Sequence, residues 1–129
     1  MTKSIVMDKY PVHTLEIQKT ETTFKNIADF LSYYKEKIEN HPIATFIALF
    51  DHYTHTKSID GEINPDIKDA QNIVFCFGAM IPNTKILAAR PRSIAIAELE
   101  NSFIVEFMEA PNEKLQVVME EWTKQIILK

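Results

Sequence analysis

The stretch that most limits what this chain can become is Asn72-Ile73-Val74-Phe75-Cys76-Phe77-Gly78. It is a near-continuous apolar run, rich in aromatic and β-branched residues, and it ends on one of only two glycines in the chain. Such a run is strand length and too short for a free-standing helix, so it predicts a central strand buried on both faces. A second run, from Ile43 through Phe50 to about His52, predicts a neighbouring strand.

The rest of the chain supplies what such a sheet needs. Val12 to Lys19 alternates, with Leu15 and Ile17 on one side, and predicts a half-buried first strand. Thr20 to Thr23 breaks it and offers hydroxyls as helix caps. Phe24, Ile27, Ala28, Leu31, Tyr34 and Ile38 then recur at helical spacing over Thr23 to Glu39, until Asn40-His41-Pro42 ends the pattern. Tyr53 to Asp69 is polar and reads as a long connection, with a helical turn near Pro65. After Gly78, Thr84 to Ala89 can wind a short helix before Arg90-Pro91-Arg92. Ser93–Leu99 and Ser102–Met108 read as a hairpin turning at Glu100-Asn101, where Asn tolerates positive φ. That register puts Ile94, Ile96, Phe103, Val105 and Phe107 on one face, with Glu98 and Glu106 on opposite faces. A final helix follows Pro111-Asn112, with Leu115, Val118, Met119, Trp122 and Ile126 as its apolar stripe.

The expected fold is therefore α+β in the order β-α-β-β-β-β-α. A single antiparallel sheet with two main helices packed on one face is the simplest way to bury both helical stripes. At 129 residues one domain is expected.

Composition removes several functions. Net charge is −4, which argues against a generic nucleic-acid or anionic-membrane surface. Two glycines leave no phosphate-cradling loop or dinucleotide fingerprint, and no G-x-S-x-G, H-E-x-x-H or paired C-x-x-C occurs. The single cysteine, Cys76, excludes an intrachain disulfide, and its apolar neighbours predict a buried thiol. Met1 to Tyr10 lacks the apolar stretch of a secretory signal, and no run approaches a membrane span. A cytoplasmic protein is expected.

From Thr23 to Glu109 the chain resembles the DUF302 (TT1751-like) family of small bacterial proteins. The likeness lies in a strand ending in Asp51-His52, a polar connection, a strand ending in Phe77-Gly78, and a hairpin. It implies a β-α-β4-α fold similar to the TATA-box-binding-protein class. The chain departs from that family after Gly78, where Ala79-Met80 stands in place of Asn-Pro.

Two groups of residues are candidate ligand sites. In Asp51-His52-Tyr53-Thr54-His55, a curl after the strand would bring His52 and His55 together as ligands of a divalent metal or haem iron, with Asp51 orienting one imidazole or serving as a third ligand. The plainer reading leaves His52 at a strand end and His55 in solvent. Lys85, Arg90 and Arg92 form a basic spot in an acidic chain, able to hold a phosphate or carboxylate or merely to solvate a loop. No catalytic constellation is visible. The expected function is a small binding or interaction domain with no cofactor, the alternative being a metal or haem protein built on His52 and His55. A two-fold homodimer is also expected, through the sheet face the helices leave free, because both faces of the predicted strands carry apolar residues. The alternative is that the long connection from Tyr53 to Asp69 folds across that face as the lid of a ligand pocket.

Overall fold

The computed structural model describes residues 1–127. Its elements are β1 (Thr2–Val6), β2 (Tyr10–Gln18), α1 (Ile27–Glu39), β3 (Thr45–Phe50), α2 (His52–Ser58), β4 (Asp69–Cys76), α3 (Lys85–Ala88), β5 (Arg92–Glu98), β6 (Ser102–Met108) and α4 (Glu113–Lys124). The fold is α+β, with one six-stranded sheet in the order β1-β2-β6-β5-β4-β3. Every pairing is antiparallel.

Strand alternation sets the core. Ile73 pairs with Ile94, Ile96 with Val105 and Ile17 with Phe103, so their side chains share one face. All six are buried, under Ile27, Phe30, Leu31, Tyr34 and Ile38 of α1 and Met119 and Trp122 of α4. Each such side chain contributes about 1.5–3 kcal/mol by leaving water. Helix α1 begins later than the run of threonines suggests. Thr22 is buried, with its hydroxyl accepting from the Phe24 N–H at 3.2 Å, and Asn26 caps the helix by accepting from Asp29 N–H at 3.1 Å. In α4 two polar residues, Gln116 and Thr123, share the buried stripe. Gln116 Oε1 accepts from the Ala110 N–H at 2.9 Å, and the Thr123 hydroxyl lies 2.7 Å from that of Tyr34.

The structure adds a strand and a helix to the sequence reading. Strand β1 folds back on β2 through a tight turn in which Met7 and Asp8 take φ of 54° and 57°, closed by Lys9 N–H to Val6 C=O at 3.1 Å. Left-handed backbone costs a non-glycine residue roughly 1–2 kcal/mol, and of the two only Asp8 is of a type that visits it. The β5–β6 turn, by contrast, closes without positive φ at Glu100 or Asn101. Helix α2 replaces the start of the irregular connection.

The central run is buried on one face only. Ile73, Phe75 and Phe77 lie in the core, whereas Val74 and Cys76 are half-buried on the open face, so the Cys76 thiol is not enclosed as its neighbours suggested. That open face is mixed. Thr14–Glu106, Asn72–Ser93 and Glu16–Ser102 hydrogen bonds alternate with half-buried Ala95, Ala97 and Ile104. Glu98, on the core side, instead pairs with Lys19 at 2.7 Å.

Candidate functional site

Strand β3 ends at Phe50, and Asp51 turns the chain into α2 by accepting from the Thr54 N–H at 3.0 Å. His52 and His55, one turn apart, both rest on the Phe50 ring, with centroids at 5.2 and 5.6 Å. The structure therefore brings the two histidines to one helix face, and both are exposed. Asp51 is occupied with the helix end and does not hydrogen-bond either imidazole. Among the described residues no three His, Cys, Asp or Glu side chains gather as a metal set.

The basic spot is assembled differently. Lys85 opens α3 in solvent and is not among the residues that line the pocket holding the other two. Arg90 and Arg92 line a pocket of about 150 Å³, whose walls are Phe77, Gly78, Ile86, Ala89, Ala110, Pro111, Asn112 and Leu115. Arg92 is the first residue of β5, paired with Phe75, so alternation directs it to the helix side. Its guanidinium donates to the Met108 carbonyl, while Nε is buried without a partner. Burial lowers the Arg92 pKa from its ordinary value, the mark of a cation held partly out of water. Arg90 lies across Gly78: a Cβ there would stand 2.6 Å from Nη1 and 2.8 Å from Cζ. Gly78 thus serves close approach and has no need of unusual φ.

The pocket's lining is basic and apolar, while Glu109 and Glu113 flank its Ala110–Asn112 wall. Arg90 and Arg92 are the only arginines in the chain. Among the described residues neither is ion-paired; the salt bridges belong to Lys3, His13 and Lys19. No acidic residue lies between Asp69 and Glu98, and none is among the described residues that line the pocket. Asn112, on the far wall, caps α4 by accepting from the Lys114 N–H at 2.9 Å, so the positive end of a helix faces the same space. Such a space suits an anion with a small apolar body. The walls from Ala110 to Leu115 were invisible to sequence reading as part of this site. The only signal was that both arginines sit two residues apart beside a proline.

A second polar cluster was also missed. His13 takes an inward position on β2, in register with Leu15 and Ile17, and is only 9% exposed. Its Nε2 lies 3.0 Å from Glu109 Oε1 and its Nδ1 3.8 Å from Glu120 Oε1. Lys3, first, and His13 hold the Glu109 carboxyl below the usual carboxylate range. A polar residue at an inward strand position was the available signal.

No helix among the described residues is long and apolar enough to cross a membrane. None of the curated proteins compared with the chain matches it, and no solved structure does. The resemblance to DUF302 does not hold, since the family model that matches is a different one. The two dipeptides that suggested it have local causes: Asp51 caps α2, and Gly78 makes room for Arg90. The matching model, a family of unknown function termed DUF6858, spans residues 1–128, and the chain belongs to that family.

Proposed function

We propose that this is a cytoplasmic small-ligand-binding domain whose site is the arginine pocket, and that it takes a small carboxylate. One observation carries the reading: the only two arginines of an acidic chain, both without acidic partners among the described residues, converge on one apolar pocket. Unpaired guanidinium beside apolar walls is costly unless an anion completes it. A planar carboxylate matches the guanidinium fork with two parallel hydrogen bonds, which a lysine could not offer. The free, half-buried Cys76 suits a reducing compartment.

Size narrows the ligand. A water's share of liquid is about 30 Å³, so about 150 Å³ admits roughly five non-hydrogen atoms, the size of propionate. A millimolar Kd needs about 4 kcal/mol, or about 0.8 per atom, well inside what tiny ligands reach. Propionate at twenty times such a Kd should then raise the melting temperature by about 5 °C. Arg90→Gln should abolish that shift, and Gly78→Val, which keeps the arginine but crowds its guanidinium, should weaken it. An equal shift in wild type and both variants, or none with any short carboxylate or phosphate in wild type, overturns the proposal.

A two-fold dimer through the open sheet face is compatible with this reading. Phe50 and Met108 stand 42% and 48% exposed there, around the small Ala95 and Ala97. The mass in solution by light scattering decides it: a 14.9 kDa species at every concentration rules the dimer out.

A further inference from the structure

The segment that brings Arg90 to the pocket also carries side chains that have no structural task. Met80 and Ile81 are 73% and 69% exposed, and Leu87 is 51% exposed. Among the large apolar residues of the described chain only Met7, at the tip of the β1–β2 turn, is more exposed than Met80. Met80 follows Gly78 by two residues, and Leu87 lies on α3 beside Ile86; Gly78 and Ile86 both line the pocket. In sequence, Met80 and Leu87 therefore stand within two residues of the pocket wall and Ile81 within three. Lys85 and Arg90 are its only charges, both positive. Scattered single apolar residues on a surface need no cause, whereas these three stand on one short segment that also lines the pocket.

Taking the arginine pocket as a carboxylate site, we infer that its ligand is an amphiphile: a monomeric straight-chain carboxylate too long for the pocket, whose tail leaves it across Met80, Ile81 and Leu87. The pocket accounts for a head group and about two further carbons. Any longer tail must emerge, and the apolar lip is what it meets. The charge pattern fits the same molecule, since the head needs a cation and the tail needs none. Met80 suits an ill-defined chain, because its thioether side chain is flexible and polarisable. A short polar anion would gain nothing from the lip and would leave its exposure unexplained.

Calorimetric titration of wild type with the three-, four-, six-, eight- and ten-carbon acids, each below its micelle concentration, tests this. Each methylene beyond the fourth carbon should tighten binding by about two- to fourfold, as partial to full burial of a CH₂ provides. In Met80→Ser/Ile81→Ser, a change on the surface that leaves the core intact, the series should go flat beyond four carbons while propionate binds as in wild type. A wild-type series flat beyond four carbons overturns the amphiphile and leaves the carboxylate pocket standing, as does a series equally steep in the variant. Absence of binding by every acid defeats the pocket itself. Co-sedimentation with phosphatidylglycerol vesicles, without affinity for monomeric decanoate, would assign the lip to a membrane surface and overturn the inference.

Discussion

The segments that follow β3 and β4 leave the sheet at opposite ends, because the two strands run antiparallel. They invite opposite conclusions in sequence and in structure. The first, from Asp51 to Lys68, holds two histidines, an aspartate and a tyrosine in five residues, and looks like a site. In the fold its aspartate caps a helix, its histidines lean on Phe50, and both imidazoles face solvent. The second, from Phe77 to Pro91, shows in sequence only the basic spot of Lys85 and Arg90, which could merely solvate a loop. Yet it seats Arg90 over Gly78 and joins it with Arg92 and the start of α4 around one pocket. Reactive residue types close in sequence do not by themselves make a site. Charge without a partner, held against an apolar wall, comes nearer to one.

The largest difference between the two segments should appear in stability. Phe77 is 5% exposed, stacks on Trp122 with centroids 5.7 Å apart, and meets Phe75 edge-on at 5.3 Å. Phe77→Ala should cost about 3–5 kcal/mol by urea denaturation, because it removes a buried ring and leaves a cavity beneath the pocket. A loss under about 1 kcal/mol would mean that the second segment is not seated on the core, and the comparison would break there. Smaller effects belong to the first segment. Asp51→Ala should cost about 1 kcal/mol as a lost helix cap, while His52→Ala/His55→Ala should change stability by less than about 0.5 kcal/mol. If wild type instead purifies with stoichiometric metal or a Soret band that the double variant lacks, the first segment is the site and the comparison inverts.

How far the sequence carried this fold depends on whether the signal was local. The stripe of α1 and the inward faces of β5 and β6 follow from spacing alone, because one face of each is buried and the other is not. Strand β1 left no such signal, since all five residues are exposed and its turn is built from Met7 and Asp8 without glycine or asparagine. Helix α2, seven residues with none buried, has no stripe to read, and only its capping aspartate marks it. The buried Gln116 and Thr123 broke the expected pattern of α4 because their partners, Ala110 and Tyr34, come from other elements. The arginine pair was legible as a basic spot. The pocket was not, since its walls come from Phe77 and from Ala110 to Leu115, which only the packed sheet and α4 bring together.

The most direct measurement is a ¹H–¹⁵N correlation titration of wild type with propionate. We expect the amides of Gly78, Arg90, Arg92 and Asn112 through Leu115 to shift together and saturate at a single Kd, while those of His52 to Ser58 stay in place. Shifts concentrated on His52 to Ser58, or small shifts spread over the surface that never saturate, would contradict the assignment of the site to the arginine pocket.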